Sequence, residues 1–335
     1  MENLIPKKID YIFRPDSLVG SGGGHISRCL SLAECLHEED EKFFILDDRC
    51  NIFKERLNKR KIKKIRFEDI VNKKILFKIC VLDGYNIKIK EIDFWKSVSD
   101  FLVVIDDFDK LHDYADLIIN IGLPDKVNSI KKNKILSNMK YAIVNREFSG
   151  ISNGFNVKEK ITNILLNFGY IDSKGITLKT LDELEKIHKF LGDLNIKVCI
   201  GSDSPQISKI KEKLNISSYK TCLYINHQNM VDLIKNSDLI IGSGGVGLLE
   251  RISVGVPSIT ISTAQNQSNQ LIKLSKKNTT IYKSLESFGS DELLKCILSI
   301  SRDYNKRLIM SNKCKSTVDG NGSFRVSKVI KNLFN

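Results

Sequence analysis

The chain has 335 residues, 41% of them hydrophobic and 28% charged, proportions that exclude a disordered, collagen-like or coiled-coil protein. At roughly 100–200 residues per domain, this length predicts two domains or one large one. The 53 Lys and Arg exceed the 40 Asp and Glu by 13, and 42 of the basic residues are Lys; the excess fits either an anionic partner or the Lys-, Ile- and Asn-rich usage of an AT-biased genome.

Short β-type runs alternate with helical patterns, the signature of a parallel α/β sheet. Residues 10–14 read as a first strand, followed by a Gly-rich turn. A helix over about 26–36 follows, with Cys29, Leu32, Ala33 and Leu36 on one face at helical spacing. Strands are predicted at 42–46, 77–82, 101–105 and 117–121, and residues 141–144 are expected to close the first half. The polar stretch FSGISNGFNVK at 148–158 has the character of an interdomain linker. The pattern then restarts. Strands are predicted at 160–167, 197–200, 221–225, 239–241 and 258–261, with helices at 177–190, 206–214, 229–236 and through Glu250. From about Gly320 the chain is expected to return as a helix onto the N-terminal domain. The predicted fold is α/β: two Rossmann-like domains, 1–150 and 158–317, with a cleft between them that holds the site, and a C-terminal piece, 318–335.

No window reaches the 18 apolar residues of a membrane span, and the start, MENLIPKKIDYIF, lacks the apolar core and cleavage site of a signal peptide. A cytoplasmic location is expected. The eight Cys form no CxxC pair, which excludes a dense disulfide framework and a local zinc site. Cys29, Cys35, Cys80, Cys199 and Cys222 fall in apolar patterns and read as buried, reduced thiols. The five His form no HExxH or HxH motif, so neither a metal nor a cofactor is expected.

Four constellations carry possible chemistry. The first is Gly20-Ser21-Gly22-Gly23-Gly24-His25 between a strand and a helix. Glycines there let backbone approach a ligand, and free N–H groups at the helix start favour anions. It is not a dinucleotide fingerprint, since His ends the run; Asp47 and Asp48 nevertheless stand near the end of the second strand, where a ribose-binding acid would lie. Nor is it a P-loop, for no Gly-Lys-Ser/Thr follows. His25 is expected to be solvent-accessible and able to take a proton near neutral pH; a capping or packing role is the alternative.

The second is Gly242-Ser243-Gly244-Gly245-Val246-Gly247-Leu248-Leu249-Glu250, again strand, glycines, helix. It suits a diphosphate on backbone N–H groups. Glu250, one turn in, can accept two hydrogen bonds from a ribose diol or simply complement the helix dipole. The third is Ala264-Gln265-Asn266-Gln267, whose amides match sugar hydroxyl and acetamido groups, or form a plain polar loop. The fourth is Asp83-Gly84-Tyr85 with Asp106-Asp107, both at C-terminal strand ends. Turns and helix caps are their simpler reading. Asp106-Asp107 would make a metal site only with a third ligand, which the sequence does not identify.

The ordered set of motifs resembles one family. FRPDSLVGSGGGHISRCLSLAECL, with Arg14, Asp16, Gly22, Gly24, His25, Arg28 and Cys29, is similar to the opening of the UDP-sugar hydrolases of pseudaminic acid biosynthesis (PseG type), which act on UDP-2,4-diacetamido-2,4,6-trideoxy-β-L-altropyranose. LDGY at 82–85, VIDDF at 104–108, HDYADLIIN at 112–120, NREF at 145–148 and NFGYIDSKGITLK at 167–179 continue the likeness. So do the long run at 229–261, AQNQ at 264–267 and VDGNGSFRV at 318–326. That family is similar to the two-domain GT-B glycosyltransferases of peptidoglycan synthesis. The resemblance implies hydrolysis of a UDP-linked diacetamido-trideoxyhexose to UDP and free sugar. His25 and Tyr85 are then catalytic. Arg14, Asp16, Gly22, Gly24, Gly169, Gly244, Gly245, Val246, Glu250, Asn266 and Gln267 bind substrate, with Glu250 on the ribose and Asn266 and Gln267 facing the sugar and phosphate. Two departures stand out: Gly84 where the family commonly has His, and Gly169-Tyr170-Ile171-Asp172 where Gly-Gly-Ala-Asp is frequent.

UDP leaves as an anion, so the helix start at 244–247 can stabilise it without a strong acid. Water then needs a base. His25 as that base, opposite the leaving group, implies inversion at the anomeric carbon and differs from the two-carboxylate glycosidase scheme. The alternatives are a UDP-sugar glycosyltransferase, with the basic run KERLNKRKIKK at 54–64 as a lipid-facing patch, and a non-catalytic nucleotide- or nucleic-acid-binding protein. One Trp, and no aromatics interleaved with the basic run, argue against a nucleic-acid partner. The expected partner is a small-molecule UDP-sugar, and a monomer is expected.

Overall fold

In a computed structural model, the described residues are 8–16, 23–46, 53–107, 114–122, 134–263, 268–285 and 290–333. They divide into two compact units, Met1–Arg146 with Asn321–Asn335, and Glu147–Gly320.

The first unit runs β1 (Ile9–Pro15), α1 (Gly24–Ala33), β2 (Lys42–Phe44), α2 (Lys54–Lys59), β3 (Lys63–Lys64), α3 (Phe67–Lys73), β4 (Phe77–Asp83), α4 (Ile89–Val98), β5 (Ser99–Ile105), β6 (Leu117–Asn120) and β7 (Lys134–Ser137). Among the described residues the strands form one sheet in the order β3-β2-β1-β4-β5-β6-β7, and every neighbouring pair is parallel. The chain moves outward from β1, then crosses back to lay β4 beside it. That reversal makes β1/β4 the switch point, where α/β sheets bind ligands at their C-terminal strand ends.

Both sheet faces are covered, which explains apolar runs without polar alternation. Successive side chains point to opposite faces. Tyr11, Phe13, Ile79, Val81, Val103 and Ile105 pack with Ile26, Cys29 and Leu30 of α1. Ile12, Cys80, Leu82, Leu102 and Val104 pack on the other side with Ile70 of α3 and Ile92 and Trp95 of α4.

The second unit runs β8 (Asn163–Asn167), α5 (Ile176–Leu191), β9 (Asn195–Ile200), α6 (Ile207–Asn215), β10 (Lys220–Ile225), α7 (Met230–Lys235), β11 (Leu239–Ser243), α8 (Val246–Val254), β12 (Ser258–Ile261), α9 (Ser268–Lys276), β13 (Ile281–Lys283), α10 (Ser290–Arg302) and α11 (Tyr304–Thr317). Its described strands take the equivalent order, β10-β9-β8-β11-β12-β13, again all parallel. Here the switch point is β8/β11. Local chemistry sets several helix ends. Asn229 opens α7 by accepting from the Asp232 backbone N–H, and Asp303 opens α11 in the same way from Lys306. Gly255, at φ +91°, closes α8.

The polar segment 148–158 belongs to the second unit as packed turns: 3-10 helices span Arg146–Phe148 and Ile151–Gly154. Phe148 and Phe155 are buried, and Lys315 donates to the Phe155 carbonyl. The last helix, α12 (Gly322–Lys331), returns to the first unit. Its Val326 and Ile330 join the core on the α1 side of the sheet.

Two expectations fail. Residues 141–144 are not a strand: Tyr141 ends a 3-10 turn, Met139–Tyr141, and β7 lies earlier. The backbone there faces α12 instead of a ladder. Ser323 Oγ donates to the Val144 carbonyl, and Gly322 packs so close to the Ala142 carbonyl that a Cβ would stand 2.0 Å from it. Cys222 is exposed, unlike the buried Cys29, Cys35, Cys80 and Cys199. It lies on the edge strand β10 and shares an outward face with exposed Lys220.

Candidate active site

At the first switch point, parallel register levels the ends of three strands: Pro15 of β1 pairs with Asp83 of β4, and Asp83 with Ile105 of β5. Asp16, Asp83, Asp106 and Asp107 therefore gather at one rim. α1 begins at Gly24 and brings His25 and Arg28, one turn apart, onto the same face.

Asp83 is the hub. Its Oδ1 lies 2.7 Å from His25 Nδ1. Arg28 grips both carboxylate oxygens, Nε to Oδ2 at 2.9 Å and Nη2 to Oδ1 at 2.6 Å. The other end of Arg28 donates from Nη1 to both oxygens of Asp107, at 3.0 and 2.8 Å. Arg28 Nη2 is also 3.2 Å from His25 Nδ1, but a guanidinium has no lone pair to offer and already donates to Asp83. We therefore assign the proton to Nδ1, donated to Asp83, which leaves the Nε2 lone pair free. Tyr85 sets its ring edge-on to His25, centroids 4.3 Å apart.

The electrostatics follow from this packing. Burial alone would raise the Asp83 pKa, but Arg28 and His25 outweigh it and hold the carboxyl below its usual range. Burial would likewise lower Arg28, yet Asp107 and Asp83 raise it. Burial pushes the Tyr85 phenol up to about 12, so it is a neutral donor at physiological pH. His25 is 2% exposed, not solvent-accessible as expected from the glycine turn, because Asp83, Arg28 and Tyr85 enclose it.

Arg14 and Asp16 stand beside this group. Arg14 Nε pairs with Glu91 of α4 at 2.6 Å. Buried Asp16 donates its backbone N–H to the Asp83 carbonyl. Gly84, where the resembled family has His, lies under both: a Cβ there would come 3.0 Å from Asp16 Cβ and 3.3 Å from Arg14 Nη1. A larger residue would push them apart. The basic run at 54–64 is partly neutralised, since Arg56 pairs with Glu34 and Lys63 with Glu41.

At the second switch point, β11 ends at Ser243 and α8 starts at Val246, with Gly244 and Gly245 between. Gly245 has φ +78° and ψ −151°, a conformation open essentially only to glycine. Gly242 packs against β8 so closely that a Cβ would stand 2.3 Å from the Asn167 carbonyl oxygen. The α8 N–H groups thus start directly at a side-chain-free turn, an arrangement that favours an anion. Glu250 is partly buried on the second turn of α8. Gly169 follows β8 at φ +89°.

Gly20–Gly22, Asp47, Asp48, Asn266 and Gln267 lie outside the described residues. The sequence reading missed the linking role of Arg28, and Arg251 of α8, which is 1% exposed. The signal for Arg251 is its place among Leu248, Leu249, Ile252 and Val254 in the run LLERISV. Among the described residues, no group of three or more His, Cys, Asp or Glu is placed to hold a metal ion, and no helix is long and apolar enough to cross a membrane.

No protein-family model matches the chain. It is 26% identical over 227 residues to the spore coat polysaccharide biosynthesis protein SpsG of Bacillus subtilis, covering 66% of each chain. It is 30% identical over 267 residues to the uncharacterized protein MJ1062 of Methanocaldococcus jannaschii, covering 73% of this chain and 54% of that one. The match therefore spans just under two thirds of the first relative and about half of the second. Among solved structures, Acinetobacter baumannii MurG superposes with a TM-score of 0.69 at 13% identity, over 97% of this chain and all of that one. Two parallel Rossmann-like sheets and this likeness give the chain the two-domain GT-B fold.

Proposed function

We propose that the chain is a nucleotide-sugar hydrolase of the pseudaminic acid type, which cleaves a UDP-linked diacetamido-trideoxyhexose to UDP and the free sugar. The observation that carries this reading is the His25–Asp83 pair at the first switch point. With Nδ1 turned to Asp83, Nε2 is the ring atom that would take the proton from water in this reading. Support also comes from the whole-chain motif resemblance and from the sequence similarity to a spore coat polysaccharide biosynthesis protein.

Each unit has its own task in this scheme. In the first, Nε2 of His25 removes a proton from water, while Asp83 holds the ring and stabilises the imidazolium that forms. Arg28 keeps Asp83 ionised and fixed. Tyr85, as a neutral phenol, orients water or sugar. In the second, the α8 start takes the diphosphate and Glu250 takes the ribose. The leaving group is a stabilised anion, so no second carboxylate is required as acid, and attack opposite UDP inverts the anomeric carbon.

The test is incubation with a panel of UDP-diacetamido-trideoxyhexoses without any acceptor, followed by proton NMR. Release of UDP with the inverted anomer formed first is the expected result. UDP release only when an acceptor is added would replace the hydrolase with a glycosyltransferase.

A further inference from the structure

Three arginines are buried among the described residues, and their surroundings differ. Arg28 is neutralised by Asp83 and Asp107. Arg307 has no carboxylate but donates to four carbonyls, those of Ile300, Ser301, Lys158 and Glu159, at 2.6 to 3.0 Å. Arg251 has neither. Nη2 donates to the Ser243 carbonyl at 2.7 Å and reaches Thr260 Oγ1 only at 3.4 Å. Its Nε has no partner, and no carboxylate among the described residues forms an ion pair with it.

A buried guanidinium left this incomplete is costly unless something repays it. The side-chain group it meets by hydrogen bonding is a hydroxyl, and the charge of the neighbouring Glu250 acts on it without an ion pair between them. Thr260 Oγ1 shares a 2.6 Å hydrogen bond with Thr280, which also bonds Ser258 Oγ at 3.0 Å, and all three are buried. Its direction is informative. Ser243 is the last residue of β11, immediately before the glycines that open α8. Nη1 lies 2.8 Å from where a Cβ of Gly242 would be, and 3.7 Å from that of Gly247. The guanidinium therefore sits directly beneath the 242–247 turn. Burial lowers its pKa to about 10, so it remains charged at physiological pH.

We infer that Arg251 is the buried counter-charge of the 242–247 turn, a positioning residue that favours a diphosphate there from beneath without touching it. The turn supplies the N–H groups; Arg251 supplies a full charge in a poorly screened place, where its field is strong. This inference rests on the proposed nucleotide-binding role of the second unit and adds a preference that scales with ligand charge.

The test is calorimetric titration of the full chain and its variants with UDP, uridine and inorganic pyrophosphate. Arg251→Met is expected to weaken UDP and pyrophosphate about ten-fold, from loss of one poorly screened charge, and to leave uridine unchanged. Arg251→Lys, which keeps the charge, should retain most of the affinity. If the Met variant does not fold, Arg251→Gln removes the charge with a polar side chain and carries the same expectation. Equal weakening of uridine and UDP, or unchanged UDP affinity in the neutral variant, would overturn the inference while leaving the nucleotide reading in place. Wild-type protein that binds pyrophosphate but not UDP would overturn the nucleotide reading alone, and binding of neither would overturn both.

Discussion

The two units share one topology and carry opposite electrostatics at equivalent places. At the first switch point, strand ends converge four aspartates, and a single arginine ties two of them to a histidine. At the second, the strand end carries glycine, backbone N–H groups and a buried cation that forms no ion pair among the described residues. The same fold thus builds a hydrogen-bonded Asp–Arg–His cluster in one unit and a glycine turn over a buried cation in the other. Topology fixes where a site forms; the residues at the first and fourth strands of each sheet decide its chemistry.

Substitutions in one unit should therefore leave the other unit's task intact. The largest effect is expected from Asp83→Ala. It strands Arg28 and His25 without their shared partner, which should cost about 3–5 kcal/mol of stability. Turnover should fall about 10⁴-fold, as in serine hydrolases whose carboxylate no longer sets the tautomer. Thermal melts and turnover measure both, while UDP titration should show unchanged affinity. Because Asp83 is held below the ordinary carboxyl range, its stabilisation is complete above about pH 4 and is lost as the pH falls through its folded-state value. Acid unfolding of the wild type should show this dependence and the variant should lack it.

Gly242→Ala comes next. Its Cβ would meet the Asn167 carbonyl at 2.3 Å and Arg251 Nη1 at 2.8 Å. The turn must shift, at a cost of about 1–3 kcal/mol. UDP affinity should fall, while hydrogen exchange at the first switch point should not change. Tyr85→Phe is milder. It keeps the ring against His25 and removes one donor, for about a ten-fold loss of turnover. A phenol pushed up to about 12 is protonated throughout the neutral range, so the pH–rate profile below pH 9 should keep its shape; a changed profile would give the phenol a titrating role. The smallest effect is expected at Cys222. It should react with a thiol reagent ahead of Cys35 and Cys199, which burial pushes to about 11, and turnover should survive the modification.

Much of this was legible in the sequence because both faces of each sheet are buried. Apolar runs ending in Asp83 and Gly242 marked 77–82 and 239–241 as strands, and these extend by one or two residues to Asp83 and Ser243; the β-branched run SITI marked 258–261. The tertiary partners were not legible. Tyr141–Val144 has strand-like composition, yet its carbonyls meet a helix almost two hundred residues later in the chain. Cys222 reads as core, but only strand order reveals that β10 is an edge. His25 looked exposed because a glycine run precedes it. Its burial depends on Asp83 and Tyr85, 58 and 60 positions away, levelled with it by parallel register. Arg251 carried no local sign of being unpaired.

The division of labour is tested most directly by His25→Ala, assayed for both turnover and UDP binding on the same preparation. The account predicts that turnover is abolished and UDP affinity stays nearly that of the wild type. Loss of UDP affinity of the same size as the loss of turnover would contradict it, since His25 would then serve binding and not proton transfer.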